Sequence, residues 1–244
     1  MDVLPGRPRA DARQGTDTQL ERGSEPIRPT MLPGAKRCPK VILEGTRLTH
    51  KTDLAFALNE HTRIVGARRY RYPSPLVSAE WCGFSNHPWG RGLINYGPED
   101  EARAMETYAT WARLFELLPY YSWIVDRFHL STRAEQRRMR GSEPDFGWLE
   151  DRLLPLGFRI VLCTRRDETF AAARAERLLV SGKPDQYEDL DRFVEEQRLL
   201  RDLAGRSKLP VLELDMSDDE VADAAERVAD WLEATGGIFL RDGL

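Results

Sequence analysis

Lys51 and Thr52 stand at the head of an amphipathic stretch, Lys51–Glu60, that follows a turn and a short apolar run in the segment VILEGTRLTHKT. An ammonium beside a hydroxyl at a helix start suits phosphate chemistry. Backbone N–H groups surround the oxygens, the lysine neutralises β- and γ-phosphate charge, and the hydroxyl holds Mg²⁺. The Walker A pattern G-x-x-x-x-G-K-[ST] asks for this same strand, turn and helix. Gly45, Lys51 and Thr52 fit it, and His50 stands where the second glycine belongs. The turn Gly45, Thr46, Arg47, Leu48, Thr49 and His50, with Lys51 and Thr52, is therefore the candidate ATP site. A non-glycine at a left-handed position costs about 1 kcal/mol or more if the loop keeps its usual path.

A second constellation ends another apolar run, WIVDRFHLSTRAEQRR. A carboxylate at a strand end, Asp126, can hold Mg²⁺ through water or accept a proton from an attacking hydroxyl. Arg127 beside it can grip a phosphate with its planar fork, although an Asp–Arg surface pair capping the next helix is the plainer reading. Further on, Arg165, Arg166, Arg174 and Arg177 cluster, and Arg174 and Arg177 share a helix face. They can close over a transferring phosphoryl group, or form a solvated basic face balanced by Glu168, Glu176 and Asp185. Arg69 and Arg71 alternate with Tyr70 and Tyr72, which suits either a planar phosphorylated ligand or an edge-strand surface.

Positioning these groups needs strands that end together. Apolar runs at 40–43, 63–65, 123–125, 159–162 and 211–214 predict five short buried strands. Helical patterns at 51–60, 99–118, 131–140, 146–154, 168–180, 190–203 and 218–233 fall between them. The alternation predicts an α/β fold, a parallel sheet with helices on both faces, whose ligands bind beyond the carboxyl ends of the strands. Gly90 and Gly92 predict a mobile loop. Residues 1–36, rich in Pro, Gly, Arg and Asp, predict a disordered arm ahead of one domain over 37–244, with Met31 an alternative start.

A formal charge of −4 provides no global field for nucleic acid or an anionic membrane, so phosphate binding has to be local. The three cysteines, widely spaced, predict neither a disulfide framework nor a zinc site. With no run of about 18 apolar residues and no signal-like start, the expected address is the cytoplasm.

The run D-R-F-x-x-S-x-x-A-x-Q, at Asp126, Arg127, Phe128, Ser131, Ala134 and Gln136, resembles the DR(Y/F) segment of thymidylate kinases. Glu44 before the loop and the segment LELDMSDDEV also look like this family. The resemblance implies a P-loop fold with about five parallel strands and an arginine-bearing lid. It implies ATP and Mg²⁺ as cofactors and a nucleotide, nucleoside or related small molecule as acceptor, and it allows a homodimer. Carried over, Lys51 and Thr52 serve ATP and metal, Asp126 acts near the acceptor or Mg²⁺, and Arg127 meets a phosphate. Arg174 and Arg177 belong to the lid, and Arg69, Arg71 and Gln136 join Arg127 in the acceptor site. Deoxynucleoside kinases are a neighbouring resemblance, with E-R-S where this chain has Asp126, Arg127 and Phe128. Leu48 and His50 replace expected glycines, and the T-R-E-P-G-G segment of thymidylate kinases has no counterpart. The second reading is a nucleotide-binding protein without turnover.

Overall fold

The computed structural model describes residues 35–66, 76–87, 90–218 and 220–240. Strands β1 (Lys40–Glu44), β2 (Leu76–Ser78), β3 (Trp123–Asp126), β4 (Phe158–Thr164) and β5 (Val211–Asp215) form one sheet in the order β2-β3-β1-β4-β5. All four pairings are parallel, so each link between strands must cross over the sheet, and helices do this. The helices are α1 (Lys51–Glu60), α2 (Thr62–Val65), α3 (Glu101–Leu117), α4 (His129–Arg140), α5 (Gly147–Leu153), α6 (Phe170–Leu178), α7 (Leu190–Gly205) and α8 (Val221–Ala234).

Alternation along β1 divides the core. Val41 and Leu43 pack with Leu54 and Leu58 of α1 and Val228 and Leu232 of α8, whereas Ile42 packs on the other face with Tyr108, Phe115, Leu149 and Leu200. Each face is closed by helices, which is why strands of an all-parallel sheet read as unbroken apolar runs. Among the described residues no helix is long and apolar enough to cross a membrane.

The second strand is the main departure from the sequence expectation. Residues 63–65 belong to the short helix α2, and β2 lies later, at Leu76–Ser78. A three-residue apolar run fits either element. Here Ile64 is buried against α1 and α8, and Arg63 reaches out to Glu226, Asp230 and Glu233 of α8. The residue that follows the second strand is therefore Ala79, then Glu80. Gly92 is likewise fixed by packing. A Cβ on it would lie 2.3 Å from the Cys82 carbonyl, in a small antiparallel bridge between Gly83 and Gly92. Of the expected arm over 1–36, residues 1–34 lie outside the described residues.

Candidate active site

Register brings the strand ends to one edge. Leu43 pairs with Asp126, Ser78 with Asp126, and Glu44 with Leu162, so the turns after β1, β2, β3 and β4 emerge side by side. Gly45 opens the first turn with φ 145°, and a Cβ there would sit 2.4 Å from the Cys163 carbonyl of β4. No side chain fits at that point. Leu48 and His50 take φ 67° and 51°, so the loop follows the left-handed path of a glycine-bearing loop without the glycines. The strain is of order 1–2 kcal/mol at each. Leu48 recovers a comparable amount, because its half-buried side chain packs on Phe170, Tyr187 and Phe193. His50 has only an exposed contact to Asp53, at 3.2 Å.

The N–H groups of Thr46 to His50 donate to no protein acceptor among the described residues. Lys51 Nζ is buried and donates to the Thr46 carbonyl at 2.6 Å and to Thr49 Oγ1 at 3.5 Å. Burial and then the Arg127 charge push its pKa down. A loop of unused donors around a buried ammonium is an anion cradle. Arg165 fixes the cradle from behind, donating to Leu48 O and Met216 O.

Glu44, fully buried, accepts from the N–H groups of Phe128, Leu130 and Ser131 and from Ser131 Oγ. It therefore holds the start of α4 as a bound anion would, with no oxygen left for a substrate. Asp126 accepts from Thr52 Oγ1 at 3.1 Å through Oδ2, while Oδ1 is buried with no hydrogen-bond partner among the described residues. Burial raises the Asp126 pKa, and Glu80 adds to it against the pull of Lys51 and Arg127. Arg127, at φ 57°, donates to Ser131 Oγ at 3.1 Å and to Glu196 Oε1 at 2.5 Å. Burial opposes its charge, yet Glu196 and Glu80 outweigh that and raise its pKa. Glu196 also accepts from Thr46 Oγ1 at 2.7 Å, so one carboxylate of α7 ties the turn after β1 to Arg127.

Glu80, just past β2, pairs with Arg47 at 2.9 Å and faces Arg127 at 3.8 Å. Burial works against its charge, but Arg127, Arg47 and Lys51 hold its pKa below the ordinary carboxylate value. A cavity of about 440 Å³ opens beside it, bounded by Arg47, Arg127, Glu196 and Asn95. From the chain after β4, the lining comes from Lys183, Gln186, Arg192 and Glu196, and Arg174 and Arg177, expected in a lid, are not among it. Arg177 is spent on Tyr187, to whose hydroxyl it donates at 3.1 Å.

Gln136 also departs from expectation. It is buried and donates to Ile94 O and Tyr96 O, so it braces the cavity wall from outside and does not line it. Arg69 and Arg71 lie outside the described residues, and β2 begins only at Leu76. Sequence reasoning missed Glu80 because the second strand was placed too early. The signal was present: the apolar run LVS is followed two residues later by a carboxylate. Glu196 gives no such sign, sitting inside a long helix among other charges.

The fold matches that of the YorR protein from Bacillus subtilis, described in complex with phosphorylated GDP. The match has a TM-score of 0.56 at 16% identity, over 80% of this chain and 96% of that one. The shared architecture is an α/β fold, a five-stranded parallel sheet with helices on both faces. A thymidylate kinase from Ehrlichia chaffeensis aligns over 82% of this chain and 100% of its own at 15% identity, with a TM-score of 0.45. A sugar kinase from Janibacter sp. aligns over 84% and 99% at 12% identity, with a TM-score of 0.48. At such identities the likeness concerns the fold alone. No protein-family model and no curated protein matches the chain.

Proposed function

We propose that this chain is an ATP-dependent phosphotransferase that moves the γ-phosphoryl group to a nucleotide, nucleoside or related small molecule in the manner of the thymidylate kinase-like enzymes. The observation that carries the reading is the convergence of Lys51, Thr52, Asp126, Arg127 and Glu80 at one edge of the sheet, beside a cavity large enough for a small acceptor. A protein that merely held a nucleotide would have no use for a second charged cavity at the phosphate end.

ATP with Mg²⁺ supplies the transferable group and screens its charge when bound. Thr52 and Asp126 would hold the metal. The buried, unpartnered Asp126 Oδ1 fits that role, and Mg²⁺ needs only one or two carboxylates because phosphates and water complete its shell. The loop N–H groups orient the phosphates, and Lys51 turns from the Thr46 carbonyl to phosphate oxygen. Arg127 stabilises charge on the transferring oxygens from a position that Glu196 and Ser131 fix. Glu80, ionised at neutral pH, takes the acceptor hydroxyl's proton as the new oxygen–phosphorus bond forms and the bond to the ADP oxygen breaks.

The deciding experiment measures ADP release against a panel of nucleosides, nucleotides and hydroxylated metabolites, together with ATP binding by calorimetry. The expected result is one or more acceptors that release ADP, and Lys51→Ala that loses both turnover and ATP affinity. Unchanged ATP binding in Lys51→Ala would sink the assignment of the loop.

A further inference from the structure

The cavity beside Glu80 has two levels, and their charges differ. At the level of the turn after β1, Arg127 donates to Ser131 of α4 and to Glu196 of α7, with Glu80 facing it at 3.8 Å and paired with Arg47. Two arginines and two carboxylates are matched there. One helical turn further along each helix, about 5–6 Å away, stand Glu135 on α4 and Arg192 on α7, which also line the cavity. At this second level the match fails. Glu135 is held by Arg138, which donates to it at 2.5 and 3.0 Å. Burial opposes the Glu135 charge, and Arg138, ahead of Arg192 and Arg127, keeps its pKa below the ordinary carboxylate value. Arg192 Nη2 stands 3.7 Å off, too far for a hydrogen bond, and its Nε is buried with no hydrogen-bond partner among the described residues.

The described wall therefore carries more cation than carboxylate, with Lys183 joining the three arginines against Glu80, Glu135 and Glu196, and the surplus lies one turn away from Glu80. A guanidinium that lines a cavity with its five N–H donors unclaimed is a receptor for a carboxylate or a phosphate, whose paired oxygens match its fork. Asn95 suits the body of the same ligand: its Oδ1 accepts from the Gly92 N–H at 2.7 Å, which leaves its amide N–H groups for hydroxyl oxygens. We infer that the acceptor is a hydroxylated molecule with an anionic group, carboxylate or phosphate ester, at the end remote from the reacting hydroxyl, and that Arg192 binds this group. The inference rests on the phosphotransferase reading for which end reacts, but not for the anion itself.

Binding to the full chain, measured by calorimetry, tests this without turnover. The probes are two series of matched pairs, monosaccharides with their monophosphate esters and sugar alcohols with the corresponding sugar acids. At least one anionic member is expected to bind at least about tenfold more tightly than its neutral parent, and the series in which it does so tells phosphate from carboxylate. In Arg192→Gln, which removes the charge, that preference is expected to fall at least about tenfold, while ATP binding and the melting temperature stay at the parent values. Arg192→Lys keeps the charge and is expected to retain part of the preference. No preference in either series overturns the inference, as does a preference that survives Arg192→Gln, which would put the anion elsewhere. A loss as complete in Arg192→Lys as in Arg192→Gln, with a lowered melting temperature in both, makes Arg192 structural and overturns it too. ADP release, assayed in parallel, separates the two readings. Arg192-dependent anion binding without ADP release upholds the anion site and removes the phosphotransferase. ADP release with neutral acceptors alone, or with a nucleoside 5′-monophosphate that becomes the diphosphate, upholds the phosphotransferase and overturns the remote anion.

Discussion

The turn after β1 and the turn after β2 lie at the same edge of the sheet and are built on opposite principles. The first is closed on itself: Gly45 is jammed against Cys163, Lys51 is folded onto Thr46, and Arg165 and Glu196 clamp the loop from two sides. The second is open: Glu80 and Trp81 face a cavity, held by ion pairs whose partners come from other segments. On the proposed function the first turn handles one invariant ligand, a triphosphate, and can be fixed largely by its own backbone. A group that must suit a particular acceptor is better set by side chains on separate elements, which can change one at a time.

Lys51→Ala breaks the closed side most severely, with turnover falling about a thousandfold or more and ATP affinity falling with it. Glu80→Gln breaks the open side alone. Turnover on a hydroxyl acceptor is expected to drop at least about a hundredfold, while ATP binding by calorimetry stays near the parent value. Equal loss of ATP binding in both variants would show that the two turns are not separate in function. Asp126→Asn sits between them. It keeps the shape, removes the charge beside Thr52, and is expected to slow turnover by about a hundredfold at saturating ATP.

A control away from both turns concerns Glu150, which accepts from buried His129 at 2.9 Å, Ser207 and the Lys208 N–H. Burial raises its pKa, but the bonds from His129, Lys208 and Ser207 prevail and bring it down to about 2 from 4.5. Because the folded value lies below the unfolded one, the stabilisation is complete above about pH 4.5 and is lost as the pH falls toward 2. Glu150→Gln is expected to lose about 3 kcal/mol at pH 7, read by urea unfolding, with the gap to the parent closing over that window. A gap constant with pH would rule out the charge as its source.

The smallest effects distinguish the two residues that replace loop glycines. His50→Gly relieves strain at φ 51° and is expected to raise stability by about 0.5–1 kcal/mol, whereas Leu48→Gly relieves similar strain but removes packing, for a net loss of about 1 kcal/mol. Opposite signs in thermal unfolding would confirm that only Leu48 is compensated.

The closed side was the more legible in the sequence, for a physical reason. Gly45, Lys51 and Thr52 are neighbours in one strand–turn–helix unit, so their spacing alone encodes their geometry. Asp126 and Arg127 were visible because a strand end is itself a sequence signal. The open side is assembled across the chain, with Glu80, Asn95, Lys183 and Glu196 brought together only by the sheet order and the crossing of α7. Where Gln136 and Arg177 point is not legible in the sequence, because a polar residue on a helix gives no sign of whether it faces a cavity or a neighbouring carbonyl or hydroxyl.

Leu48 carries a last consequence. Its side chain belongs to the turn after β1, and its packing partners are Phe170 and Tyr187, from the segment between β4 and α7 that supplies Lys183 and Gln186 to the cavity, and Phe193 of α7. Leu48 adds an apolar link between the two places beside the polar ones through Glu196 and the Arg47–Glu80 pair. If the proposed function holds, a displacement of this turn when nucleotide binds has to be answered by the helices packed on Leu48, so amide exchange in 170–193 should report nucleotide occupancy.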